Sequence, residues 1–175
     1  MKYALIVLFL FGSLVFTYAQ DVDPVTSSVD NKPNNQKQES SSYLRQIQTP
    51  LTPKSVSEYQ VMAVNYDLGQ TYLFDGRDDL FLLAFITQKG QILASYNRIG
   101  EVVKTVERFR DIALPSPIVR MGMRDHSGWR VIGTNYYVFY MKDKRPKVIY
   151  TLRIADGEKR KKIMMDRDGI ILKDI

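Results

Sequence analysis

Apolar residues in this chain occur in short runs separated by turn residues, and these runs predict β-strands. The strands are predicted over residues 59–66, 79–87, 91–98, 101–109, 129–141, 147–155, 158–165 and 170–172. Glycine, often beside aspartate or lysine, marks many of the intervening turns, which recur roughly every 10 to 15 residues. This cadence is typical of an antiparallel meander, in which each strand pairs with the next one along the chain.

A single short helix is predicted to begin at residue 116. Ser116 is expected to cap the free amides of its first turn, and Pro117 suits the first helical position, where no amide hydrogen is needed. Gly128 is placed to end the helix. Its apolar side is predicted to consist of Ile118, Val119, Met121 and Met123. A helix this short depends on packing against the sheet for its stability.

The predicted elements define an α+β fold, an antiparallel β-sheet meander with one short helix packed on it. Strands, a glycine turn and an apolar return occur over residues 59–107, and the same order occurs over residues 129–172. This indicates two degenerate repeats, and most of the helix is expected to be lost from the first repeat.

The first 19 residues have the pattern of a secretory signal peptide. Lys2 precedes an apolar stretch that runs, with an interruption at Gly12 and Ser13, to a small residue, Ala19. Cleavage is expected near Ala19. An uncleaved membrane anchor is the weaker alternative, because the interrupted stretch falls short of the roughly 20 apolar residues that a span needs.

Residues 20–46 are rich in Ser, Asn, Gln, Asp and Lys and contain few apolar residues. Such a composition cannot bury enough surface to offset the entropy lost on ordering, so this segment is predicted to be a disordered linker. The α+β domain is then expected to occupy residues 47–175.

The chain contains no cysteine, so it has neither a disulfide framework nor a lipidated cysteine after the signal. A cysteine-free exported domain of this size fits the bacterial periplasm or cell surface. The formal net charge is +6, and it falls to +5 when Lys2 is removed with the signal; this excess lies in residues 141–175, which hold eleven bases and six acids.

Several motifs occur in a fixed order after residue 107. They are Arg108-Phe109-Arg110-Asp111, Leu114-Pro115, Trp129, Tyr136-x-Val138-x-Tyr140, Lys147-Val148-x-Tyr150-x-Leu152 and Asp166-x-Asp168-Gly169-x-Ile171-Leu172. With these motifs the chain resembles the PepSY-like, beta-lactamase-inhibitor-like proteins exported by Bacteroidota, over residues 59–172. The resemblance implies a helix-plus-sheet fold, often duplicated, with one sheet face free to engage a protein. It implies no shared catalytic residue, and the degenerate first repeat departs from the family's pattern.

Residues that commonly carry chemistry are sparse. His126 is the only histidine, and without cysteine a zinc site or a catalytic triad is not expected. Its position favours a contact between the imidazole and the last carbonyls of the helix. Asp166, Asp168 and Gly169 resemble the start of a calcium loop, but a later acidic ligand is missing and a turn is favoured. We therefore expect no cofactor and no metal.

Lys159, Arg160, Lys161 and Lys162 form the densest basic run. The run is interpreted as a charged edge strand that resists pairing with other chains. A weak contact with an anionic surface is the alternative, and the export signal makes nucleic acid an unexpected partner.

Alternate side chains of residues 136–140 point to opposite faces of a strand, and aromatic residues occupy both faces. Because one helix covers only one face, the other is predicted to engage an unknown protein of the envelope. The candidate binding face consists of Tyr136, Val138, Tyr140 and Arg153. The alternative is that the sheet of the first repeat packs there and buries these residues.

These features predict a non-enzymatic, exported binding or inhibitory module of the bacterial envelope. The alternative is a structural protein, or a carrier that holds a small apolar or anionic molecule between helix and sheet. An enzyme that uses carboxylates such as Asp111 and Asp125 is the least favoured class, because no paired acid and base is recognised.

Overall fold

The computed structural model describes residues 41–70 and 80–175. Residues 1–40 lie outside these ranges, and with them the predicted signal peptide and most of the predicted linker. The described part of the chain has three α-helices, α1 (Ser42–Ile47), α2 (Lys54–Asn65) and α3 (Ser116–Met123), and a short 3-10 helix at Leu68–Gln70. None of these helices is long and apolar enough to cross a membrane.

Seven strands of the described residues form one sheet. They are β1 (Phe81–Thr87), β2 (Gly90–Tyr96), β3 (Val102–Arg110), β4 (Arg130–Met141), β5 (Lys147–Asp156), β6 (Lys159–Met165) and β7 (Ile171–Asp174). Each strand pairs antiparallel with the next one, in the spatial order β1 to β7. The predicted fold class, α+β with an antiparallel meander, is confirmed.

The prediction of a strand over residues 59–66 is wrong, because this stretch lies largely in the second half of α2. Val56, Gln60, Ala63 and Val64 are buried, and they recur at the spacing of one helical face. Aromatic and β-branched residues favoured a strand here, but burial of one helical face in the folded chain overrides that preference.

The predicted linker extends too far, because α1 occupies its last residues. The Oγ of Ser41 accepts a hydrogen bond from the amide of Leu44 at 3.4 Å and so caps the helix. Tyr43, Leu44 and Ile47 are buried. Three apolar side chains within two turns thus order a segment whose composition is otherwise polar.

Helix α3 lies where it was predicted, but its ends differ from the prediction. Pro115 precedes the first turn, Ser116 is already helical, and no side chain caps the helix. Gly128 (φ +83°) does not end the helix and instead lies in the turn that leads into β4. The close fit of α3 on the sheet requires Gly122, since an added Cβ would lie 2.5 Å from Cδ1 of Leu152.

A helix followed by antiparallel strands occurs twice along the chain. Helix α2 precedes β1 to β3, and α3 precedes β4 to β7. This order agrees with two related units. The expectation of one short helix, with the helix of the first unit lost, is wrong, since α2 is longer than α3.

All three helices lie on one face of the sheet. The Tyr43 hydroxyl of α1 and the side-chain amide of Gln60 on α2 both donate to Glu107 of β3. Helix α3 packs on Leu152 of β5 through Gly122. The sheet contributes to this core Ile92, Ala94, Tyr96, Phe109, Tyr136, Val138, Tyr140, Val148, Tyr150, Leu152, Ile154, Ile163 and Met165.

Candidate functional site

We call the side of the sheet opposite the helices the open face, because no helix of the described residues packs on it. Its side chains alternate along each strand with those that face the helices, and the strand register identifies them. Leu93 of β2 pairs with Val106 of β3, and Val106 pairs with Phe139 of β4. On the next row, Arg108 pairs with Tyr137.

The candidate binding residues Tyr136, Val138 and Tyr140 do not lie on the open face. They are 1%, 0% and 0% exposed, and Tyr140 packs edge-on against Tyr43 of α1 with ring centroids 5.1 Å apart. Arg153, the fourth candidate, has a side chain that is 46% exposed and lies on the open face. The prediction for the three β4 residues is therefore wrong, because helices that the sequence did not predict cover their side of the sheet.

An apolar strip crosses the open face from β1 to β4. It consists of Leu82, Ile86, Leu93, Val106, Tyr137 and Phe139. Leu82 and Ile86 are 65% and 62% exposed, and the other four side chains are partly exposed. The Lys104 ammonium lies 6.0 Å from the ring centroid of Phe139. Contiguous apolar and aromatic surface of this kind commonly marks an interaction site.

Basic side chains flank the strip on β3 and continue across the face to β7, and no acidic side chain occupies an open-face position on the described strands. The basic residues are Lys104, Arg108, Arg110, Arg130, Lys147, Arg153, Arg160, Lys162 and Lys173. Asp111, which directly follows β3, pairs with Arg153 at 2.8 Å. The open face is therefore strongly positive, which suits a partner with an anionic surface.

A groove of about 510 Å³ lies at the end of the open face, beside the turn between β1 and β2. Its open-face lining consists of Ile86, Gln91, Arg108, Arg110, Asn135 and Tyr137. Arg108 and Arg110 are two positions apart on β3, so their side chains leave the same face about 7 Å apart. Both are exposed, and neither takes part in an ion pair among the described residues.

Glu107 lies on the same strand as these arginines but points into the core. It is fully buried and accepts hydrogen bonds from Tyr43 Oη at 2.7 Å, Gln60 Nε2 at 2.8 Å and Thr105 Oγ1 at 2.9 Å. Burial raises the pKa of Glu107 above its ordinary value, and the three hydrogen bonds oppose that rise. Through these hydrogen bonds the Glu107 carboxyl group connects α1 and α2 to β3.

The imidazole of His126 does not meet the helix-end carbonyls, as the sequence had suggested. Its Nε2 lies 3.1 Å from Oδ2 of Asp174, and its ring packs edge-on against Trp129 with centroids 5.8 Å apart. The Lys161 ammonium approaches both the Trp129 ring (5.8 Å) and Asp174 (3.4 Å). His126 thus links the end of α3 to β7.

Within the described ranges, no group of three or more histidine or acidic side chains is placed to hold a metal ion.

The interpretation of residues 166–169 as a turn is confirmed. Oδ1 of Asp166 accepts hydrogen bonds from the backbone amides of Asp168 at 2.9 Å and Ile170 at 3.0 Å, and Gly169 adopts φ +81°. The Asp166 carboxylate, which resembles a calcium ligand in the sequence, is therefore engaged by the backbone of its own turn.

The basic run of β6 does not form an edge strand. Strand β6 pairs with β5 on one side and with β7 on the other, so the interpretation as a charged edge is wrong. The short β7 covers that edge. Arg160 and Lys162 extend the positive charge of the open face, while Lys161 contacts Trp129 on the other side. A contact of the run with an anionic surface stays a prediction.

No protein-family model matches the chain, and comparisons with curated proteins and with solved structures give no significant match. The resemblance to PepSY-like, beta-lactamase-inhibitor-like proteins stays a prediction from the sequence motifs.

Proposed function

We propose that the chain is a non-enzymatic binding or inhibitory module, exported to the bacterial envelope, that engages a protein through the open face of its sheet. The observation that carries this proposal is the apolar strip, wholly or partly exposed and flanked on β3 by basic residues, on the face that the three helices leave uncovered. Single exposed apolar side chains are ordinary on protein surfaces, whereas a contiguous strip with aromatic members is typical of interfaces.

The sheet holds the apolar strip in a rigid arrangement. Tyr137 and Phe139 project from β4, which is hydrogen-bonded to β3 and to β5, and the other side of β4 is packed into the core. Side chains on such a support lose little conformational freedom when a partner binds, so less binding free energy is spent on ordering them.

The groove supports a second candidate, a carrier of a small anionic molecule. Its volume suits a small ligand, and Arg108 and Arg110 would neutralise an acidic group. The sequence had placed such a ligand between helix and sheet, whereas the groove lies on the opposite side of the sheet. The apolar strip continues from the groove to Leu82 and Phe139, and this extent favours a partner larger than a small molecule.

Affinity capture from an envelope extract tests the proposal, with the mature chain from Gln20 as bait. The test variant is Tyr137→Ser with Phe139→Ser. The matched control is Met62→Ser with Met121→Ser, which removes two exposed apolar side chains from the helix side. We expect one protein to be retained by the wild type and the control and to be lost from the open-face variant. Its retention by the open-face variant, or its loss from the control alone, would count against the open face.

A further inference from the structure

Arg108 and Arg110 lie side by side without a counter-charge from any described residue. Some basic side chains of the described residues have an acidic partner, for example Arg153 with Asp111 at 2.8 Å and Lys142 with Glu101 at 3.0 Å, whereas Arg108 and Arg110 have none. Two like charges on adjacent same-face positions of a strand repel each other. The pair is therefore most stable when an anion from outside the described structure lies between them.

No acidic residue of the described strands lies across from the two arginines. Their partners on the strands are neutral hydrogen-bonding residues, and Lys89, whose carbonyl accepts from the Arg110 amide at 2.8 Å, is basic. Arg108 lies between Gln91 of β2 and Tyr137 of β4, and Arg110 pairs with Asn135. These are the positions at which a sheet would ordinarily supply an opposite charge. Amide and hydroxyl donors instead complete the lining of the groove, and they are able to share an anion with the guanidinium groups.

We infer that this groove is a subsite for a carboxylate, which an acidic side chain of the protein partner places between Arg108 and Arg110. The planar guanidinium fork matches a carboxylate with two parallel hydrogen bonds, which a lysine cannot reproduce. The inference rests on the proposed function. It specifies the contact surface of the partner, which contains an acidic residue with apolar residues close to it.

The apolar part of the groove favours a protein over a polyanion. Ile86 is 62% exposed at the groove and Tyr137 lies beside Arg108, and both belong to the apolar strip. A sulfated polysaccharide or a nucleic acid backbone would place polar groups against these side chains. A polypeptide that alternates acidic and apolar residues satisfies both parts of the surface.

The subsite is tested with the mature chain and a fluorescein-labelled peptide of alternating phenylalanine and glutamate, in comparison with the same peptide carrying glutamine in place of glutamate. Fluorescence anisotropy measures the dissociation constant. We expect the glutamate peptide to bind the wild type more tightly than the glutamine peptide. The variant Arg108→Gln with Arg110→Gln should weaken binding of the glutamate peptide by about tenfold or more, the effect of losing a charge-assisted bidentate contact.

Two matched variants distinguish a specific carboxylate contact from the effect of overall positive charge on peptide affinity. Lys144→Gln with Arg145→Gln removes the same charge from the exposed turn between β4 and β5, and it should change the affinity by less than about threefold. Arg108→Lys with Arg110→Lys keeps the charge but loses the planar fork, and it should bind more weakly than the wild type. The inference would be overturned if the Lys144/Arg145 variant and the Arg108/Arg110 glutamine variant lost the same affinity for the glutamate peptide. Equal affinity of the wild type for the glutamate and glutamine peptides would also overturn it.

Dextran sulfate in the same assay represents the competing class of partner. Tight binding of this polymer together with no binding of the glutamate peptide would overturn the inference.

Capture from the envelope extract then distinguishes failure of the subsite from failure of the proposed function. If the protein lost from the Tyr137→Ser, Phe139→Ser variant is still retained by the Arg108/Arg110 glutamine variant, the proposed function stands and the subsite is wrong. If neither variant loses it, the proposed function itself fails.

Discussion

Tyr136 and Tyr137 are neighbours in the sequence and lie on opposite faces of β4. Tyr136 is 1% exposed and packs against Tyr150, with ring centroids 5.2 Å apart. Tyr137 lies on the open face, where it pairs with Arg108 on β3 and with Ile149 on β5. A difference of one position along the strand thus decides whether a tyrosine lies in the core or on the open face.

Replacing each tyrosine by serine should separate these two roles. Tyr136→Ser should lower the free energy of unfolding by about 3 to 5 kcal/mol, because it leaves a cavity in the core. Tyr137→Ser should lower it by less than about 1 kcal/mol, because the ring is partly in water. Chemical denaturation measures both values. Equal losses of unfolding free energy in the two variants would mean that the two rings are equally buried.

The buried carboxyl group of Glu107 predicts how stability depends on pH. Burial raises the pKa of Glu107 in the folded chain above its ordinary value, so the folded state holds the proton more tightly than the unfolded state. Its contribution to stability is complete below that value and is lost as the pH rises through the raised pKa. Denaturant midpoints measured between about pH 4 and pH 8 should fall over this range in the wild type. The fall should be much smaller in Glu107→Gln.

Glu101 provides the control for this experiment. Its side chain is 52% exposed, and the hydrogen bond from Lys142 lowers the pKa of Glu101. A lowered pKa gives a contribution that is present above the ordinary value and is lost as the pH falls, the opposite direction to Glu107. Glu101→Gln should therefore leave the loss of stability with rising pH unchanged. If the variant Glu107→Gln shows the same loss as the wild type, the fall arises from another group.

Gly90 is required for the close approach of β2 to β3 at the groove. An added Cβ would clash with the carbonyl oxygen of Arg108 and lie 2.7 Å from Cδ1 of Phe109. Backbone atoms inside a sheet cannot move aside, so Gly90→Ala should destabilise the fold by about 1 to 3 kcal/mol. Gly133→Ala is the matched control, because there the added Cβ meets the flexible guanidinium of Arg153. It should cost less than about 1 kcal/mol, and a thermal melt that ranks the two variants in reverse would contradict this account.

The strands from β1 onwards were predictable because their alternation and their turn glycines are local signals. Val148, Tyr150, Leu152 and Ile154 of β5, which the alternation assigns to one apolar face, are all buried against the helices. Helices α1 and α2 were not predictable in this way. Their burial depends on contacts with distant residues, such as the hydrogen bonds from Tyr43 and Gln60 to Glu107.

The assignment of the binding face failed for the same physical reason. Alternation divides the side chains of β4 into two sets, one with Tyr136 and one with Tyr137, but it does not show which set the helices cover. Without α1 and α2, both sets have similar aromatic content. The groove was not predictable either, because it depends on the register that places Gln91 and Asn135 beside Arg108 and Arg110.

Thiol labelling tests the central claim most directly, since the chain has no cysteine and one introduced thiol reports on one position. Val106→Cys lies in the apolar strip beside Phe139, and Ser55→Cys lies on the exposed side of α2. The rate of maleimide labelling is measured for each variant in buffer and in envelope extract. We predict that the extract slows labelling of Val106→Cys and leaves labelling of Ser55→Cys unchanged. Slower labelling of Ser55→Cys with no change at Val106→Cys would contradict the account, because the partner would then bind the helix side.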